Sequence, residues 1–418
     1  MEKVLNIPAH LPKRLTIGFP NFGTFDTGSG VYHDLDKIVK EYKERGFNCI
    51  RLETGAGLAH DLNGNPRGPI FLHEPFGKYS KVRHLGCFGG EGYCDFRERL
   101  LSLCKACKKH GVYLILSSWY FLHTYWFVDN KINDEIFSVK TEDMFMTFAR
   151  LLHYLIKDIK ENGYADCIAM AEIFNEVGSV PLFIGELKNE NVKHIDFKKK
   201  HEEALAWLQE THPDIIFGFD NDCVTDEAIA DIPENLQAYN GHNYFLWGVY
   251  GGTLELGEPV RVDISLDKYT DEDIMAERNG LVPLSPTCAP WYSRIRRCYN
   301  LDESKFDELK EHLNKRIKEN REEYLKNLDN FCEGFKKIME KFPGIPVVCG
   351  EGVTYCASLN LTWEEENEDY WEIIKIMMQK YKELGLWGTI IKTNCAPDDP
   401  SWYLCKDKVK ELNEMFLE

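Results

Sequence analysis

The chain has 418 residues, 44% hydrophobic and 13% aromatic, enough apolar material for one large packed domain or two ordinary ones. Fifty Lys and Arg face 68 Asp and Glu, a formal net charge of −18. Such an excess repels nucleic acid and anionic membrane surfaces, and no apolar run approaches the roughly 18 to 20 residues of a membrane span. The expected partner is a small-molecule or oligosaccharide substrate.

The first ten residues carry no apolar stretch of signal-peptide length. Fourteen cysteines without such a leader point to reduced thiols and a cytoplasmic setting. Short apolar runs then follow at 15–19, 48–52, 112–117, 167–174, 215–219, 237–243, 346–349 and 388–392. Runs of this kind read as buried strands of a parallel sheet. Amphipathic helical patterns alternate with them, as over 30–45, 95–110, 142–160 and 365–384. Eight such β-α repeats predict an α/β protein, a (β/α)8 TIM barrel with long βα-loop insertions. No internal repeat or low-complexity linker divides it, so 1–418 is expected to be a single domain.

Two stretches exceed ordinary βα loops of about 2 to 6 residues. The first, 55–93, is rich in Gly, Pro, His and aromatics. The second, 246–342, separates strands six and seven. It holds Trp247, Tyr250, Trp291 and Tyr292, then a charged helix over 304–341. That helix reads either as a cover for the pocket or as an oligomer contact.

The chemistry is concentrated where apolar runs stop. Ala171-Glu172-Ile173-Phe174-Asn175-Glu176 closes the fourth strand and Cys349-Gly350-Glu351-Gly352 the seventh. Strand carboxyl ends are where α/β barrels keep their reactive groups. Two carboxylates facing one another there can break a glycosidic bond, one protonating the leaving oxygen and one attacking the sugar. The plainer reading of each is a helix cap or a lysine partner. Glu172 shares strand parity with Glu176 but lies about 13 Å deeper at normal strand rise, and reads as a buried partner of Arg51.

The fourth-strand segment resembles the Glu-Leu-x-Asn-Glu signature of family 5 glycoside hydrolases, in clan A. Gly350-Glu351-Gly352 is similar to the seventh-strand motif of that family. His242-Asn243-Tyr244 resembles its sixth-strand His-x-Tyr, and Asn48-Cys49-Ile50-Arg51 its second-strand Asn-x-x-Arg. The four stand in the family's order through most of the chain. The resemblance implies that Glu176 is the acid/base and Glu351 the nucleophile of a retaining, cofactor-free hydrolase of β-linked sugars. It sets Arg51 where it favours the ionised form of a neighbouring carboxylate, Tyr244 as a donor to Glu351, and Asn175 at the sugar 2-hydroxyl. The carboxyl groups are then expected about 5 to 5.5 Å apart. His242 reads equally as a sugar contact or as a satisfied core histidine.

The chain also departs from the family. Val177 follows Asn175-Glu176 where proline is usual, Ser117-Ser118-Trp119 replaces a third-strand histidine, and Lys392-Thr393-Asn394 replaces an eighth-strand tryptophan. Trp119 or Trp402 would have to supply the aromatic face for a pyranose ring. Loop aromatics Tyr120, Phe121, Tyr125, Trp126 and Phe127 are further rim candidates, at least half of them loop core. Asp220 and Asp222 are candidates for hydroxyl recognition.

Other signals are discounted. Asp26-Thr27-Gly28 matches an aspartic-protease string, but no second copy exists to share a proton. Cys104 and Cys107 have zinc-ligand spacing, yet both fall in a helical pattern where buried thiols are common. Gly86 to Gly92 follows no strand and reads as a turn. Two rivals remain beside the hydrolase. One is a non-catalytic carbohydrate-binding barrel. The other is a metal-dependent isomerase or lyase using Glu172, Glu176, Asp220, His242 and Glu351.

Overall fold

The computed structural model describes residues 5–21, 23–72, 89–120, 125, 128–177, 195–221, 224–246, 249, 306–354 and 361–418. Its strands are β1 (Leu15–Asn21), β2 (Cys49–Glu53), β3 (Ile70–Leu72), β4 (Gly92–Cys94), β5 (Tyr113–Ser117), β6 (Ile168–Glu172), β7 (Phe217–Asn221), β8 (Ala238–Asn243), β9 (Val347–Gly352) and β10 (Gly388–Ile390). Eight of them close a barrel in the order β1-β10-β9-β8-β7-β6-β5-β2, every ladder parallel. This is the (β/α)8 barrel expected from the apolar runs. The remaining two, β3 and β4, pair antiparallel across the end of the 55–93 insertion. Three-residue strands carry too little periodicity to be read from sequence.

The strands are apolar on both faces because both are covered. Every residue of β2 and of β6 is buried. Outward side chains meet helices such as Leu35–Glu44, which turns Leu35, Ile38, Val39 and Tyr42 inward at helical spacing. Helix Phe96–His110 starts where the Asp95 side chain accepts the Glu98 N–H, and stops at left-handed Gly111. Inward side chains near the amino ends of the strands, among them Ile17, Cys49, Ile115, Met170 and Val348, form a separate apolar plug with Trp387. Above the plug the inward positions turn polar. Cys49, Arg51 and Glu53 share one parity on β2, so the same face runs from plug to charge within five residues.

The helix expected over 304–341 is two helices, Phe306–Glu319 and Arg321–Lys341. They part at Asn320, whose side-chain amide donates to the Arg316 carbonyl at 3.0 Å, a local bond that competes with the helix ladder. The second helix buries Tyr324, Leu328, Phe335 and Ile338 and packs on β8 and on helix Glu368–Leu384. It is thus a wall helix of the barrel, following the sixth barrel strand. Trp247, Tyr250, Trp291 and Tyr292 lie outside the described residues. No helix among the described residues is long and apolar enough to cross a membrane.

Candidate active site

Six strands, β2 and β5 to β9, deliver polar side chains to the carboxyl end of the barrel, and Arg51 of β2 joins them. It is fully buried and lies over the Phe19 ring at 5.2 Å. Its Nη1 donates to Glu351 Oε1 at 2.7 Å. Its Nη2 donates to Asp220 Oδ2 at 2.8 Å, to Glu172 Oε2 at 3.4 Å, and to Asn175 Oδ1. The Glu172–Arg51 pair expected from parity is present. The expected difference in depth is not a straight strand, however. β6 ends at Glu172, and the chain curls so that Asn175 meets the same Arg51 nitrogen.

Glu351, near the end of β9, takes Arg51 on one oxygen and the Tyr244 hydroxyl on the other, at 2.9 Å. Glu176 accepts from His242 Nδ1 at 2.8 Å. An oxygen of Glu176, an oxygen of Glu351 and a ring nitrogen of His242 all lie within 4.8 Å of one another. The two glutamates thus face each other, with at least one oxygen of each within 4.8 Å of the other.

The glycines of the seventh-strand motif have steric causes. A Cβ on Gly350 would stand 2.3 Å from Asn240 Oδ1, and Gly352 has φ +149° with a virtual Cβ 2.2 Å from the Asn243 carbonyl oxygen. Among the described residues three non-glycines adopt positive φ: Glu176 at 47°, Val353 at 75° and Asn394 at 64°. All three lie just past the ends of barrel strands, β6, β9 and β10. Left-handed backbone at such residues costs on the order of 1 to 3 kcal/mol each, so the strain is gathered at one end of the barrel.

Electrostatics separate the carboxylates. Burial drives Glu172 up to about 7, against the pull of Arg51. Burial would also raise Asp220, but His242 and Arg51 reverse this and hold it below the usual carboxylate range. For His242, burial works against the charge, and Asp220, Glu351 and Glu176 outweigh it, keeping the ring well above ordinary histidine. Burial raises the Tyr244 hydroxyl well above its usual range, with Glu351 adding to it, so it stays a donor.

Several expected roles change. His242 is the satisfied buried histidine of the plainer reading, with both ring nitrogens engaged. It is fully buried and bridges carboxylates, with Nε2 3.0 Å from Asp220 Oδ2. Asp220 offers nothing to a sugar hydroxyl. Oδ1 accepts the Glu176 N–H at 2.7 Å, and Oδ2 is taken by Arg51, His242 and Asn240. Trp402 is not at the site. It is fully buried beneath the Arg45 guanidinium, 4.0 Å from its ring centroid, and its Nε1 donates to Glu41. Trp119 stands at the end of β5 edge-on to Phe19, 4% exposed, so it forms wall rather than platform. Tyr120 and Tyr125 are buried in the layer beneath, Tyr120 stacked on Phe148. Asp222, Phe121, Trp126 and Phe127 lie outside the described residues.

Two features were not anticipated. Glu53 at the end of β2 accepts the Gly55 N–H at 2.7 Å and the Trp119 N–H, and burial drives it up to about 8. It fixes the turn that replaces the third-strand histidine; a carboxylate two residues past Arg51 was the signal for it. Where an eighth-strand tryptophan was absent, buried Lys392 meets Glu364 at 2.5 Å and both Glu365 and Asp399 at 3.3 Å. Its neighbour Thr393 donates to Tyr244 at 3.4 Å, tying this cluster to the site. Cys104 and Cys107 are buried free thiols, and burial raises Cys107 well above its usual range.

No family model matches the sequence, and no curated protein matches it. Among solved structures, a protein from Parabacteroides distasonis, provisionally assigned as a glycoside hydrolase, aligns with a TM-score of 0.65 at 16% identity, over 97% of this chain and 94% of that one. A family 5 glycoside hydrolase from Prevotella bryantii B14 aligns over the full length of both chains with a TM-score of 0.51 at 10% identity. A point variant of that enzyme in complex with a xyloglucan tetradecasaccharide gives 0.50 at 11%, over 100% and 99%. The fold is that of the family 5 barrels. At these identities the likeness is one of architecture, and it agrees with the resemblance carried by the four motifs.

Proposed function

We propose that this chain is a retaining glycoside hydrolase that cleaves β-linked sugars, short oligosaccharides or glycosides, by double displacement on two glutamates. The observation that carries the reading is the facing pair Glu176 and Glu351, with oxygens within 4.8 Å and different partners on each. In the first step Glu351 attacks the anomeric carbon while Glu176 gives its proton to the departing glycosidic oxygen. In the second, Glu176 takes a proton from water, which attacks the same carbon and releases Glu351. Arg51 favours the ionised form of Glu351. Asn175, with Oδ1 engaged by Arg51, keeps its amide NH₂ as the donor for a sugar hydroxyl.

A metal-dependent lyase or isomerase is the weaker reading. The cluster of Glu176, His242 and Glu351 is compact enough for a cation. Yet His242 faces carboxylates with both ring nitrogens, and a doubly protonated ring has no lone pair to give. The nine described cysteines are all free, in keeping with a cytoplasmic setting and soluble substrates.

The test is sugar release from a panel of aryl β-glycosides and short oligosaccharides by wild type and Glu351→Gln. Release that the substitution abolishes, with retention of anomeric configuration in the first product, is the expected result. Binding without release across the panel would leave a carbohydrate-binding barrel, and loss of turnover on chelation would restore the metal reading.

A further inference from the structure

We propose that Asp220 is the positioning residue of the general acid, gripping Glu176 at its backbone directly and at its carboxyl group through His242. What the gripped group does rests on the glycosidase reading above; the grip itself does not.

The contacts form a closed ring. Asp220 Oδ1 accepts the Glu176 N–H at 2.7 Å, and Asp220 Oδ2 lies 3.0 Å from His242 Nε2. His242 Nδ1 lies 2.8 Å from Glu176 Oε1. One carboxylate therefore fixes both ends of the same residue. The backbone end is the one that needs fixing, since Glu176 sits at φ 47°, a conformation that persists only where the surroundings over-determine it. Asp220 is 2% exposed. Arg51 at 2.8 Å and Asn240 at 2.6 Å complete its shell, which leaves it no role in direct substrate contact.

The ring also sets the state of His242. Nε2 faces the Asp220 carboxylate and Nδ1 faces Oε1 of Glu176, whose transferable proton belongs on its other oxygen; a ring that donates to both acceptors is an imidazolium. The charged and titratable groups around it agree. Glu176 faces it from the turn after β6 and Asp220 from β7, with Arg51 of β2 and Glu172 of β6 behind Asp220. Tyr244 follows it on its own strand, and Cys349 and Glu351 face it from β9. Anionic groups outnumber the one other cation. Asp220 makes the closest contact to Nε2, against 3.6 Å for Glu351, so it is the counter-charge whose removal the ring would feel first.

The experiment is nitrogen NMR of the full chain labelled at histidine, with His242 assigned by its loss in His242→Gln. In wild type both ring nitrogens are expected to stay protonated from about pH 5 to 8, the range in which an ordinary histidine loses its charge. In Asp220→Asn one of them should titrate within that window. With an aryl β-glycoside, kcat of this variant should fall about tenfold to a hundredfold, the scale of a misplaced catalytic group, with KM nearly unchanged and a new inflection in the pH profile. A neutral His242 in wild type at pH 7 overturns the proposal. So does a folded Asp220→Asn whose ring remains doubly protonated, or whose kcat equals wild type. If Asp220→Asn does not fold, the wild-type spectrum still decides the charge of His242. Asp220→Glu, which keeps the charge and shifts its position, should then preserve the imidazolium signal and lower kcat. Absence of glycoside turnover together with the expected spectra would refute the glycosidase reading and leave the Asp220–His242 linkage standing.

Discussion

Arg51 Nη1 lies 2.7 Å from Oε1 of Glu351, a residue 300 positions later in the chain. The pair closes the barrel across its interior, and the other guanidinium nitrogen binds Asp220, Glu172 and Asn175 at the same time. A planar fork can serve several carboxylates at once where a lysine ammonium offers a single point. Arg51→Lys should therefore lower kcat/KM on any active glycoside by about a hundredfold. It should also destabilise the fold by roughly 3 kcal/mol, as expected when a buried charge network loses a partner. Chemical denaturation and steady-state kinetics on the same preparation check both.

Glu176 and Glu351 should fail in different ways. Glu351→Gln removes the attacking group and should abolish turnover of every glycoside. Glu176→Gln removes the proton donor of the first step and the base of the second, contributions typically of about 10²- to 10⁴-fold. In kcat/KM, which reports the first step alone, it should spare substrates whose leaving group departs as a stable phenolate and nearly silence those with an alkoxide leaving group. A comparison of nitrophenyl and alkyl β-glycosides reads the difference. Equal losses on both would refute the assignment of Glu176 as the acid.

Glu53 predicts how stability changes with pH. Its folded-state pKa, about 8, lies above the ordinary glutamate value of 4.5, so the folded chain holds a proton that the unfolded chain has lost between those values. Stability must then fall as pH rises through that window, and Glu172, at about 7, adds to the same slope. Melting temperature should decline from about pH 5 to 8, and Glu53→Gln should flatten the decline even if it lowers stability at pH 5 by losing one acceptor for a backbone N–H. An unchanged slope would contradict this.

Trp402 should behave as a core residue. Packed between Arg45, Tyr42 and Phe47, it should cost about 3 to 5 kcal/mol when cut to alanine, while KM for any glycoside stays at the wild-type value in the folded fraction.

Much of this site was legible in the sequence because buried parallel strands are apolar almost without interruption, so a polar residue at their end stands out. Glu351 was readable for that reason, while Arg51 and Tyr244 were picked out by the family resemblance of their motifs; the Tyr244 contact expected with Glu351 is present. What escaped was set by contacts remote in sequence. Trp402 follows the eighth strand and so read as rim, but its partner Arg45 is 357 residues away. Asp220 looked like a sugar ligand because nothing local shows that Arg51, Asn240, His242 and the Glu176 N–H converge on it. Asn240 carries no signal at all, since an asparagine inside a strand resembles any other polar interruption. The boundary at Glu172 was misjudged because Ile173 and Phe174 continue the apolar run while the backbone has already turned.

The left-handed residues at the strand ends carry a last consequence, for how this protein would change under selection. Glu176 and Val353 hold backbone angles that glycine adopts freely. At Val353 the side chain is buried in the core, so glycine would relieve strain and lose packing together; at Glu176 it would relieve strain and delete the side chain on which the proposed reaction depends. A population screened only for heat resistance would be drawn toward Glu176 and would lose turnover as it gained robustness. Selection for turnover would keep the barrel less stable than its architecture allows.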